Sequence, residues 1–176
     1  MMIVSPRPTA SILETRALEP ADGRLLSELG QSLSDVTRRL RFFSSAPRTV
    51  ERWIAALLKA DQDHHLAECL LHKDDFGAVL VGVAEVIRTD EPGLGEFAIA
   101  VADEWQRLGA GSLLVRRMAR RSIEAGIDRW KVDRLADNHT LDAIVRQVGR
   151  TVAVTTAYGV VTSEHRLELE SGEGGI

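Results

Sequence analysis

The amino-acid sequence predicts one mixed α/β domain, and three features carry that expectation. Apolar residues recur with strand spacing in some segments and helical spacing in others, in the order strand, helix, helix, strands, helix, strand, helix, strands. The segment Ala78-Val-Leu-Val-Gly-Val-Ala-Glu-Val-Ile-Arg88, entered through the turn Lys73-Asp-Asp-Phe-Gly77, reads plainly as a strand. Residues 97–101 have strand character and run straight into a loop holding Gly109 and Gly111, then into a helical pattern. A length of 176 residues suits one domain with a proper core.

In chain order, residues 1–9 carry two prolines and no apolar run long enough for a signal peptide, so a loose tail is expected there. The domain is expected over residues 10–170, followed by a Gly/Ser/Glu tail at 171–176. Residues 11–17 read as a short strand. Pro20-Ala-Asp-Gly is a turn, after which Leu25, Leu26, Leu29 and Leu33 recur at helical spacing. Ser44-Ser-Ala-Pro47 is a helix entry with its proline early, and Trp53, Ile54, Leu57 and Leu58 give the second helix its apolar face. Strands are expected at 66–71, 78–88, 96–102, 127–135, 151–157 and 160–169. The helix after the glycine loop presents Leu113, Leu114, Val115, Met118 and Ala119, and Gly126 closes it. Asn138 is a good N-cap for a fourth helix with Leu141, Ile144, Val145 and Val148 as its stripe.

Composition narrows the function. The 22 basic and 26 acidic residues give a net charge of -4, which argues against a nucleic-acid partner. No run approaches the roughly 18 apolar residues of a membrane span. The lone Cys69 excludes an intramolecular disulfide and fits a reducing cytoplasm. On a helix, His65, Cys69 and His72 would share a face and could ligate zinc. Read as a strand, the same segment sends His72 to the face opposite His65 and Cys69, which favours ordinary strand-end histidines over a metal.

The stretch Val101-Ala-Asp-Glu-Trp-Gln-Arg-Leu-Gly-Ala-Gly-Ser-Leu-Leu114 is where chemistry concentrates. Glycines let a backbone approach an anion closely, and the free N–H groups of a helix's first turn, with its dipole, attract it. No Gly-Lys-Ser/Thr follows, so this is not a Walker A loop. The match Gly93-x-Gly95-x-x-Ala98 runs into a strand and is no dinucleotide fingerprint.

The spacing Gln106-x-x-Gly109-x-Gly111, five residues after Val101, resembles the acyl-CoA pyrophosphate loop of the GNAT acetyltransferase superfamily, which reads Arg or Gln, two residues, Gly, one residue, Gly or Ala. The resemblance spans about residues 10–170, with its specific motifs between Glu96 and Gly149. It implies a GNAT fold: a central, mostly antiparallel sheet in which two neighbouring strands splay, flanked by about four helices. It also implies an acetyl-CoA-dependent N-acetyltransferase that needs no metal. Acetyl-CoA would be held at Val101, Gln106, Arg107, Leu108, Gly109, Ala110, Gly111, Ser112 and Asn138. Backbone N–H groups near Val101 or in the loop would polarise the thioester carbonyl. In the family an Asn opens the fourth helix near the pantetheine and a Gly closes it eleven residues on, as Asn138 and Gly149 are spaced here.

Acetylating an amine requires removing a proton from its ammonium form, so a carboxylate near the thioester is chemically sensible. The resemblance implies the same, since lysine-modifying members place a general-base glutamate at the position matching Glu96, and Glu85 is the reserve. The sequence departs from the family at Val145, where many members place a tyrosine that protonates the leaving thiolate. Arg150 also replaces the usual apolar residue, and Tyr158, the only tyrosine, lies in a later loop. Trp105 and the arginines Arg116, Arg117, Arg120 and Arg121 read as packing and a solvated face, respectively. Arg41-Phe42-Phe43, Val-Ala-Asp-Glu-Trp-Gln and Ala-Asp-Asn-His are similar to the acetyltransferase domain of bacterial protein lysine acetyltransferases. The expected acceptor is a primary amine, either a protein lysine or a small amine, with a non-catalytic acyl-CoA sensor as the rival reading. The family also implies a tendency to form homodimers, although no stretch identifies an interface.

Overall fold

The computed structural model describes residues 12–168, so Ser11 and both expected tails lie outside the described residues. Seven strands form one sheet in the order β1-β2-β3-β4-β5-β7-β6. They are β1 (Ile12–Ala17), β2 (His65–Asp74), β3 (Gly77–Arg88), β4 (Leu94–Val101), β5 (Arg129–Leu135), β6 (Gly149–Ala157) and β7 (Val160–Leu167). Every neighbouring pair is antiparallel except β4 with β5. Five helices flank the sheet: α1 (Gly23–Ser32), α2 (Asp35–Phe42), α3 (Pro47–Leu57), α4 (Ala110–Glu124) and α5 (His139–Val145).

Strand alternation sorts the interior into two cores. Ala67, Cys69, Leu71, Val83 and Ala100 face α1 and α3, meeting Leu26, Leu29, Trp53 and Leu57. Leu66, Leu70, Ala84, Val86 and Phe97 face the other way, under Leu114, Val115, Met118 and Ala119 of α4. Leu113, expected on that apolar face, is 40% exposed because α4 begins at Ala110 and turns it outward. Trp105 packs against both cores, as expected of a residue beside the loop.

The first helical pattern divides in two. Leu33 keeps the helical spacing and is buried, yet its backbone is extended at φ -69°, ψ 124°. Ser34 then caps α2, its Oγ accepting from Thr37 N at 3.2 Å, so three helices stand where two were expected.

Gly149 also differs from expectation. α5 stops at Val145, and Gly149 opens β6 instead of closing the helix. A Cβ there would lie 2.4 Å from the carbonyl oxygen of Arg166 on β7, so the sheet itself demands the glycine. Gly149→Ala should destabilise the fold by about 1–3 kcal/mol through overpacking against backbone. A lowered denaturant midpoint measures this, and an unchanged midpoint would refute the tight approach.

Candidate active site

β4 and β5 pair for only three residues, Leu94 with Arg129, Gly95 with Trp130 and Glu96 with Lys131. Beyond that point β4 runs on to Val101, while β5 keeps full register with β7 from Arg129–Arg166 to Leu135–Val160. The rings of Phe97 and Trp130 stack beneath the vertex at 4.2 Å and 8°, and Trp130 Nε1 donates to Ser122 Oγ at 3.0 Å. Such a stack adds roughly 0.5–1.5 kcal/mol to the burial of its two rings, pinning the strands where they part.

The gap opens into a cavity of about 590 Å³, a size suited to a small-molecule site. One end is lined by Gln106, Arg107, Gly109, Gly111, Ser112 and Asn138. Gly109 sits at φ 90°, a left-handed cap from which α4 departs, and Leu113 N donates to its carbonyl at 3.0 Å. The N–H groups of Ala110, Gly111 and Ser112 precede the first intrahelical bonds and have no partner within α4. With the helix dipole behind them they fit an anion such as a pyrophosphate. Asn138 accepts from Leu141 N at 3.2 Å and so caps α5 at the cavity wall.

Not every loop residue faces this space. Leu108 is 70% exposed and the Ala110 methyl is buried in the core, so neither side chain lines the cavity, and Ala110 can offer only its backbone N–H. Gln106 turns its amide inward: Nε2 donates to Val101 O and to Thr37 Oγ1, both at 3.0 Å. Thr37 Oγ1 in turn donates to Asp103 at 2.9 Å. The side chain therefore braces the loop against α2.

The other end of the cavity is lined by Arg41, Phe43, Glu85, Glu96, Lys131 and Asp133. Glu96 Oε1 accepts from Lys131 Nζ at 2.8 Å, and this hydrogen bond holds the lysine's pKa above its usual range. Glu85 is buried and receives three donors: Arg41, Trp53 Nε1 at 2.9 Å and His65 Nε2 at 2.7 Å. Burial alone would raise its pKa, but the His65 bond, the Arg41 charge and the Trp53 bond together hold it below the usual carboxylate value. Glu85 is therefore an anchor for α2 and α3, with its oxygens committed to structure. Phe42 packs edge-on against Trp53 at 5.3 Å, whereas Phe43, in the left-handed region at φ 57°, is 44% exposed at the cavity. Arg39 of α2 meets Asp137, just before α5, at 2.7 Å and links the two walls.

The remaining sequence candidates fall elsewhere. Cys69 is buried against α1 and α3, and burial pushes its thiol up to about 11, which leaves it protonated and unreactive. His72 rests on Trp105 at 4.9 Å, far along β2 from His65. No three metal-binding side chains converge among the described residues. Val145 is fully buried, and Tyr158 is fully exposed in the β6–β7 turn. Arg116 and Arg120 are exposed, but Arg117 Nε donates to buried Glu68 at 3.1 Å, so the arginine face is only partly solvated. Lys131 and Asp133 were missed by sequence reasoning. Their two-residue spacing on a strand places them on one face, but nothing local says that this face borders Glu96.

Residues 31–149 match the family model of the acetyltransferase (GNAT) family. The fold is similar to the GNAT domain of S. lividans PAT, with TM-score 0.74 and 20% identity over 87% of this chain and 89% of that one. It is similar to a GNAT superfamily phosphinothricin acetyltransferase from Sinorhizobium meliloti in complex with acetyl-CoA, with TM-score 0.69 and 17% identity over 92% and 90% of the two chains. A cAMP-binding acyltransferase from Mycobacterium smegmatis matches with TM-score 0.59 and 20% identity over 89% of this chain but 44% of that one. At these identities the likeness is one of fold. Among the described residues no helix is long and apolar enough to cross a membrane.

Proposed function

The chain belongs to the acetyltransferase (GNAT) family and is an acetyl-CoA-dependent acetyltransferase, and from that premise we propose that it acetylates a primary amine, a protein lysine, by direct attack. Acetyl-CoA supplies the acetyl thioester. Its pyrophosphate suits the N–H groups of Ala110, Gly111 and Ser112 at the start of α4, with Arg107 at the same end of the cavity. Val101 and Asn138 would flank the pantetheine, while Gln106 keeps the loop in shape.

The observation that carries the acceptor reading is the contact of Lys131 Nζ with Glu96. A primary alkylammonium on a lysyl chain already rests on this carboxylate at the vertex of the gap. An acceptor lysine would take that place, and Glu96 would accept its proton directly or through water. A thiolate departs tolerably without an enzymatic acid, a free cysteine thiol for comparison having a pKa of ~8.5, in keeping with a buried Val145. A polyamine would call for an excess of carboxylates. Here Glu85, Glu96 and Asp133 are matched by Arg41, Arg107 and Lys131, so the cavity favours a singly charged amine. The exposed Phe43 at the cavity offers an apolar contact for a peptide.

Calorimetric titration with acetyl-CoA, followed by CoA release in the same sample against lysine peptides, polyamines and aminoglycosides, tests this. Micromolar binding with release driven best by the peptides is expected. Release driven by polyamines or aminoglycosides would replace the acceptor, binding without any release would make the protein a sensor, and no binding would sink the reading of residues 106–111.

A further inference from the structure

The cleft holds a primary amine of the chain's own. Lys131 Nζ stands 2.8 Å from Glu96 Oε1 at the last paired position before β4 and β5 diverge. Both side chains line the cavity that continues to Gly109, Gly111 and Ser112. Two other lysines occur in the sequence, Lys59 and Lys73. Lys59 is exposed just after α3. Lys73 makes a comparable ion pair, 2.6 Å to Glu14 across the β1–β2 ladder, but outside the cavity. A carboxylate partner is therefore common to Lys73 and Lys131, and only Lys131 has one inside the cleft.

We propose that Lys131 is a self-acetylation site, modified when acetyl-CoA is bound and no outside acceptor is present. The inference rests on the acetyl-CoA reading of the cleft given above. In the step, the Lys131 ammonium passes one proton to Glu96 and thence to solvent. The neutral Nζ attacks the thioester carbonyl, a C–N bond forms and the C–S bond breaks. The proton remaining in excess on nitrogen goes to the departing CoA thiolate, giving an amide, free CoA and one released proton. The amide is neutral and can no longer form an ion pair with Glu96, so acetylation leaves that carboxylate without its cation and open to an outside amine. Tethering in the cleft that would take acetyl-CoA would supply the rate, since a tethered nucleophile reacts at a high effective concentration.

The test incubates the full chain with acetyl-CoA alone and follows each lysine by peptide mass spectrometry, with CoA release measured in parallel. Lys131 should acquire one acetyl group at least ~10-fold faster than Lys59 and Lys73, as proximity predicts. The rate constant should not depend on protein concentration, and excess CoA should suppress it. CoA release without acceptor should show a burst stoichiometric with protein, and Lys131→Arg, which keeps a cation beside Glu96, should abolish that burst. Lys131 acetylation no faster than at ion-paired Lys73, in a sample that binds acetyl-CoA and turns over an amine, would overturn this proposal and leave the acetyltransfer reading intact. A sample that fails to bind acetyl-CoA would overturn both.

Discussion

Glu96→Gln should lower kcat for an amine acceptor by ~10²–10⁴-fold, the usual worth of a positioned proton acceptor. The affinity for acetyl-CoA, read by calorimetry, should stay where it is. Glutamine keeps the shape of the side chain and an oxygen that can accept from Lys131, so the change removes the basic carboxylate and little else. The Glu96 side chain is 54% exposed and its lysine partner 38%. An ion pair this open contributes about 0–1 kcal/mol, so Tm should barely move. Loss of turnover without loss of stability or cofactor binding is thus the signature of a base. The residual rate of the variant should climb about tenfold per pH unit from neutrality, because the acceptor must then lose its proton unaided below an amine pKa of ~10.4. Turnover within twofold of the parent enzyme would remove Glu96 from the chemistry.

The contrast between Glu96 and Glu85 also marks the limit of what the sequence reveals. The loop from Val101 to α4 was legible because its signals are local: glycines at 109 and 111, an apolar strand before them and a helical stripe after. Asn138 was legible for the same reason, since a cap acts within three residues, and Leu141 N does donate to it. What could not be read depends on pairing between distant segments. Glu96 meets Lys131 only because β4 and β5 run parallel for three residues and then separate. The helix break at Leu33 was hidden because a buried leucine keeps the helical period while its backbone is extended. Gly149 seemed local, as a helix terminator, yet its requirement comes from the carbonyl of Arg166 on another strand. One non-local feature did leave a trace. A glutamate inside the apolar run Val83-Ala-Glu85-Val-Ile87 announces a buried charge that must find partners, although not which ones.

Those partners make Glu85 the site of the largest expected stability effect. Its carboxylate binds Arg41 of α2, Trp53 of α3 and His65 of β2 while only 6% of the residue is exposed. Arg41 is itself largely covered, with its guanidinium 4.9 Å from the centre of the Phe42 ring and 5.7 Å from that of Trp53. Glu85→Ala leaves that guanidinium buried without its anion and the Trp53 N–H without its acceptor. Breaking a buried pair from one side costs roughly 3–5 kcal/mol, a large part of the stability of a domain this size. A fall in denaturant midpoint of that order is expected, and a loss under about 1 kcal/mol would show that the cluster relaxes into solvent. Glu85→Ala combined with Arg41→Ala should cost less than the sum of the two changes, since the second removes the stranded charge. The same carboxylate sets a pH dependence. Its folded pKa lies below the usual value, so its contribution is complete above about 4.3 and is lost as pH falls through the depressed folded value. Stability measured from neutral pH downward should therefore fall in the parent protein across that acid range. In Glu85→Gln the corresponding slope should be shallower, because the proton that undoes the cluster has nowhere to bind.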